Sequence, residues 1–500
     1  MAFPHELLPK LADLDWHAAA PSALPDAARQ LLCVLPAGED WFDAFAREAV
    51  QHSLQRRGSK AQELAKKPVA VELPGGCLSS WVRLDPQADP YTRHTRLRQA
   101  LQPLLEERPR SLHIAVYGPD AFRVLAARAA VYTAWLNGCP LPSRKREDKP
   151  WALERIHIHG LARLDLARER AVAEGNHLAR RLTWLPPNEL TPASYRAHVR
   201  TLAQALGWAV EEYDLKRLRK LGAGAFLAVA RGSQHEDAAI VRVHYDGGGR
   251  GKRKGHYALV GKGICFDTGG HNLKPARYMH NMHDDMNGSA VALGVLLAAT
   301  RLKFPLRLSA WLAIAQNHLS PSAYTQNEVV RALNGTSIEV VHTDAEGRMV
   351  LADTLTLAAR EEPQLILDFA TLTGSMTVAL GERMSGVLAN RSELATLAVA
   401  AGEAVGERVV AFPAPEDYDE ALESQVADVK QCILEAEADH ILAARFLARF
   451  VGERPWLHVD LSASRCKGGL GAVASELTGF GVALGVELLE RLRTGAAVMR

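Results

Sequence analysis

Short apolar runs alternate with longer stretches of helical period along most of the chain. In the first third, residues 31–35, 69–73, 112–117 and 156–158 read as strands, and 120–136 as a helix between two of them. Further on, strand patterns fall at 226–229, 239–245, 259–267, 338–341, 365–369, 386–390, 409–412 and 456–461. Helical stretches fill the gaps, among them 287–300, 439–451 and 477–492. This alternation predicts an α/β fold whose main sheet is mostly parallel and covered on both faces. Residues 163–184 read as a long connecting helix that Pro186-Pro187-Asn188 stops, and Thr191 caps the next helix with Pro192 as its first residue. We expect a smaller N-terminal α/β domain over 1–165 and a C-terminal domain over 166–500.

Two runs concentrate chemistry. The strand pattern at 259–267 ends in the turn Thr268-Gly269-Gly270, with Lys262 inside the strand and Asp267 at its end. Lys274 and Asp285 follow in a segment too rich in Gly, Pro and Asn for regular structure, and Asn287 reads as the cap of the next helix. Two acids and two lysines therefore flank a strand-to-helix crossing, where α/β sheets place their ligands. The second run, His342-Thr343-Asp344-Ala345-Glu346-Gly347-Arg348, also follows a strand pattern and leads into an apolar helix. Asp344 and Glu346 are two apart, so an extended chain would point both to one side. Four carboxylates brought together need cations to stay ionised, and two divalent metals sharing bridging carboxylates would supply them. Competing readings are solvated loop acids, an ion pair of Lys262 with one acid, and a helix-start salt bridge from Arg348 to Asp353. A phosphate loop at 261–263 lacks the required spacing.

At 500 residues two domains are the default, and 48% hydrophobic with 23% charged residues is ordinary for a globular protein. A net charge of +2 gives no global reason to expect nucleic acid. Six cysteines without a C-x-x-C pair suggest reduced thiols, and Cys265 among apolar neighbours reads as a core thiol. The start of the chain lacks the basic and apolar regions of a secretory leader, so a cytoplasmic protein is expected. The loop 246–255 is glycine-rich and basic, an exposed turn whose alternative use is a nucleic-acid patch.

Residues 260–285 followed by 343–351 resemble the leucyl (cytosol) aminopeptidase family of two-metal exopeptidases. The family's signature is Asn-Thr-Asp-Ala-Glu-Gly-Arg-Leu; here His342 and Met349 stand at its ends and the six central residues are intact. Residues 368–374 and the Pro186–Pro192 stretch are similar to further family motifs, and the resemblance covers roughly 170–490. It implies metal ligation by Lys262, Asp267, Asp285, Asp344 and Glu346, with Asp267 and Glu346 bridging two zinc or manganese ions. It implies carbonyl polarisation by Lys274, a bicarbonate held by Arg348 as general base, and peptide substrates with a free N-terminus. Met282 would line the pocket for the first side chain, with Thr371 and Gly374 contributing backbone groups. A homo-hexamer and a non-catalytic N-terminal domain that helps arrange subunits are further implications. Three stretches depart from the pattern: His271-Asn272, with His280 and His283 nearby; the acidic segment 431–440; and the turn 462–469. They motivate an alternative, a weak or inactive member serving as a metal-stabilised scaffold or a nucleic-acid-binding accessory.

Overall fold

The computed structural model describes residues 7–38, 40–247, 255–435 and 437–495; most of the basic loop expected at 246–255 lies outside them. The first third builds a six-stranded sheet in the order Asp13–His17, Arg155–His159, Ser111–Val116, Gln30–Pro36, Cys77–Leu84, Val69–Leu73. All its pairs are parallel except the last. The remainder builds an eight-stranded sheet, and the result is a two-domain α/β fold. Its middle strand, His256–Asp267, runs parallel to Arg307–Asn317 on one side and to Leu365–Ala370 on the other. Antiparallel strands lie further out on both sides.

Side chains alternate faces along that middle strand, and the two cores follow the alternation. Tyr257 and Leu259 join the core under helices Ala167–Trp184 and Asn287–Arg301. Ala258 and Val260 join the core under helices Glu346–Ala359 and Asp439–Ala448. Burial on both faces is why the strand reads as a continuous apolar run. At Gly261 even a methyl group is excluded: a Cβ there would lie 2.4 Å from Ser289 Cα. The start of helix Asn287–Arg301 therefore rests directly on the strand.

The helix Ala167–Trp184 binds the two sheets together. Its buried Arg180 donates to Leu136 O in the first third and to Ser475 Oγ in the last, and Asn176 donates to Thr478 O. All six cysteines are free and buried. No described helix is long and apolar enough to cross a membrane.

Several expectations need correction. Residues 226–229 belong to a buried helix, Gly224–Ala230, not a strand. The strand expected at 338–341 is only Ser337–Glu339, and it sits in a separate three-stranded sheet. The connecting helix begins at Ala167 rather than 163, and the last described helix is Val482–Thr494. Asn287 does not cap its helix but is its first residue, and its amide donates to Thr183 Oγ1.

Candidate active site

The middle strand carries Lys262 into the interior, where it is 3% exposed. Its Nζ lies 2.9 Å from Asp285 Oδ2 and 2.8 Å from Glu346 Oε1, and it donates to Thr371 O at 3.0 Å. Gly347 makes room for the lysine, since a Cβ there would sit 2.6 Å from its Nζ. Lys274 lies 3.0 Å from Asp267 Oδ2 and 2.6 Å from Asp344 Oδ1. Oxygens of Asp267, Asp344 and Glu346 all fall within 4.8 Å of one another. The structure thus brings together all six lysines and acids singled out in the sequence.

Local hydrogen bonds set these positions. Asp267 closes the strand, and its Oδ1 accepts from Gly269 N and from Asn317 Nδ2, each at 2.8 Å. Thr343 Oγ1 donates to Gly269 O, and Asn272 exchanges bonds with the Thr343 backbone and hydroxyl, so the two chemical runs are fastened to each other. Asn317 and Tyr324 both donate to Thr343 O. Thr371 Oγ1 donates to Asp285 Oδ1. Glu346 opens the helix Glu346–Ala359, so Asp344 and Glu346 reach one cluster through a turn and a helix start, not through extended chain.

Charge in this enclosure is unbalanced. Four carboxylates face two ammonium groups. Burial, then the neighbouring acids, push the Asp344 carboxyl up to about 7. Burial likewise raises Asp285 well above the carboxylate range and raises Glu346. Burial alone would lower Lys262 and Lys274, but the surrounding carboxylates outweigh it and hold both pKa values up. Asp285 Oδ2, Asp344 Oδ1 and Glu346 Oε1 are buried, and each faces a lysine ammonium at 2.6–2.9 Å. Carboxylate oxygens of Asp267, Asp344 and Glu346 within 4.8 Å of one another are the donor set that a divalent cation requires, and the residues fit one.

Arg348, 2% exposed, follows Glu346 by two residues and does not pair with Asp353. It donates through Nη2 to Asp439 Oδ1 at 2.7 Å and through Nη1 to Gln431 O at 3.0 Å. Asp353 instead accepts from the backbone N–H groups of Phe226 and Leu333. The acidic segment is stitched to the second run, because Gln431 Oε1 accepts from Val341 N and His342 N. Met282 is half-buried in the short 3-10 turn Met282–Asp284, beside Asp285, and Gly374 is exposed at the start of helix Gly374–Leu380. His271 and His280 are exposed, and none of His271, His280 and His283 belongs to the metal-compatible group. Sequence reasoning missed Asn317, Tyr324 and Asp439, whose partners are distant in the chain.

Comparison with known proteins agrees with this geometry. The profile of the cytosol aminopeptidase family, catalytic domain, matches residues 177–486. A probable cytosol aminopeptidase of Stutzerimonas stutzeri is 44% identical over 64% of this chain, and the matched part spans 65% of that relative's length. One of Gluconobacter oxydans is 34% identical over 93% of this chain and 96% of its own. Among solved structures, the bottromycin maturation enzyme BotP in complex with Mn superposes with a TM-score of 0.80 at 31% identity, covering 93% of this chain and 100% of that one. A tomato leucine aminopeptidase mutant gives 0.82 at 26% identity, with 97% of each chain covered. With a family profile over more than half its length, spanning both runs that build the lysine–carboxylate cluster, the chain belongs to the cytosol aminopeptidase family.

Proposed function

We propose that the protein is a metal-dependent aminopeptidase that hydrolyses the N-terminal residue from peptides. The observation that carries this reading is the cluster of four carboxylates around two lysines, with oxygens of Asp267, Asp344 and Glu346 within 4.8 Å of one another. Lys262, Asp267, Asp285, Asp344 and Glu346 would hold two divalent ions, zinc or manganese. Such ions, when bound, supply a Lewis acid and a water acidic enough to be a nucleophile at neutral pH. For Lys262 to ligate it must first lose its proton, which a nearby dication favours.

The chain's own groups do the remaining work. Lys274 would donate to the scissile carbonyl oxygen as negative charge develops there, and losing such a donor typically lowers turnover ~10²–10³-fold. Asn317 and Gly269 keep Asp267 oriented, so little reorganisation is needed during reaction. Met282 would meet the first side chain, with the Thr371 carbonyl and Gly374 contributing backbone groups to the same pocket. The bicarbonate that the resemblance assigns to Arg348 meets a competitor there, since the guanidinium already donates to Asp439 and Gln431. A homo-hexamer in the cytoplasm completes the reading.

The test is hydrolysis of a panel of aminoacyl p-nitroanilides with zinc, with manganese or with chelator. Metal-dependent turnover, abolished in Asp344→Ala and strongly reduced in Lys274→Ala, is expected. A protein that binds two metals per chain yet hydrolyses no member of the panel would favour the scaffold instead.

A further inference from the structure

A buried arginine beside a catalytic cluster needs an anion, and the chain supplies one itself. Both terminal nitrogens of Arg348 have acceptors, Asp439 Oδ1 at 2.7 Å and Gln431 O at 3.0 Å, while its Nε is buried without a partner. An exogenous bicarbonate would have to displace Asp439, so the residues present do not fit that ion. Asp439 is held where it is from several sides. Ala438 before it adopts φ +50°, the left-handed region that a non-glycine residue enters only under constraint. His440 after it donates its backbone N–H to Ser375 Oγ at 2.9 Å, and its Nδ1 lies 3.0 Å from the same hydroxyl. The helix that Asp439 opens is thereby anchored to the first turn of the helix Gly374–Leu380. The side chain of Asp439 retains 24% exposure while that of Arg348 has 2%, which puts the carboxylate on the wetter side of the pair.

We propose that Asp439 is a built-in carboxylate occupying the anion seat of Arg348, and that it handles the proton of peptide hydrolysis in place of an external anion; this rests on the aminopeptidase reading. In the step, an Asp439 oxygen takes a proton from the attacking water as the water's oxygen bonds to the scissile carbonyl carbon. The same proton passes to the amine nitrogen as the C–N bond breaks. One water is consumed, and Asp439 ends as a carboxylate. Arg348 remains charged throughout and acts as a positioning residue.

The experiment uses metal-loaded protein in carbonate-depleted buffer, comparing wild type, Asp439→Ala and Asp439→Asn, with thermal unfolding to verify that each variant is folded. Wild-type turnover should be indifferent to added bicarbonate. Asp439→Ala should lose roughly 10²-fold or more, the usual contribution of a general base, and regain part of it with bicarbonate or formate in a saturable way. Asp439→Asn, which keeps the seat filled without a basic oxygen, should be slow and not rescued. Independently of turnover, the ¹³C signal of labelled bicarbonate should broaden with Asp439→Ala and with neither of the others. Stimulation of the wild type by bicarbonate, broadening by the wild type, or full activity of Asp439→Ala in depleted buffer would overturn the proposal. If the wild type cleaves no aminoacyl amide at all, the peptidase reading fails, and the ¹³C measurement still decides whether Asp439 fills the seat.

Discussion

Replacing Lys262 with methionine isolates the electrostatics of the cluster, because methionine retains most of the apolar stem and removes only the ammonium. In the wild type that ammonium is shared by Asp285 and Glu346 at 2.9 and 2.8 Å, with 3% of the residue exposed. Breaking a buried pair by deleting one partner costs ~3–5 kcal/mol, and here two acids lose their counter-charge while Lys274 stays engaged with Asp267 and Asp344. We therefore expect a loss of about 4 kcal/mol for the chelated protein at pH 8. The loss has a ceiling, since either acid can take up a proton and both already sit above their ordinary range. An acid whose native pKa is raised destabilises the fold as pH climbs from the unfolded value through the native one. The penalty must then shrink on going from pH 8 toward pH 5, where the carboxyls in the variant are neutral. Urea unfolding with chelator, followed by tryptophan fluorescence at both pH values, gives the difference. A methionine variant as stable as the wild type at pH 8, or one whose deficit grows on acidification, would refute this account of the cluster.

Three further outcomes follow from single contacts. Gly261→Ala forces a Cβ to 2.4 Å from Ser289 Cα, backbone that cannot rotate away, and should destabilise by at least the ~1–3 kcal/mol of ordinary overpacking in urea unfolding. Tyr324→Phe removes the buried donor to Thr343 O, which keeps its bond from Asn317, so a loss of about 1 kcal/mol with a modest fall in turnover is expected. Asp353 is fully buried and its carboxyl is pushed up to about 7, mainly by burial, against an ordinary value of 3.8. Its protonated form favours the fold below about pH 4, and that contribution fades as pH rises to about 7; in Asp353→Asn the melting temperature should change less with pH across this window, and an unchanged pH slope would argue against the assignment.

The cluster is legible in the sequence because its six charged residues lie in two short runs, each bounded by a strand pattern and a helix start. What escapes is whatever depends on distant pairing. Asn317 ends a central strand, Arg307–Asn317, on which no strand expectation fell, and it is 50 residues from Asp267. Asp439 is 91 residues from Arg348, inside a segment whose acidity reads locally as altered pocket shape. The helix Gly224–Ala230 passes for a strand because a four-residue apolar run carries no period that separates a buried helix from a buried strand. Asp344 and Glu346 converge as expected but by another route, since a helix start can aim a carboxylate as well as a pleat can.

The helix Ala167–Trp184 also bears on how such a protein can be rearranged over generations. Arg180 takes one acceptor from Leu136 and another from Ser475, and His177 meets the Trp135 carbonyl. The join between the two halves is therefore not a neutral seam at which a different first third could be exchanged. A recombined partner would have to present carbonyls at the places of Trp135 and Leu136, or leave the buried Nη2 of Arg180 without its acceptor. Inheritance of the two halves as a unit is written into little more than one turn of one helix.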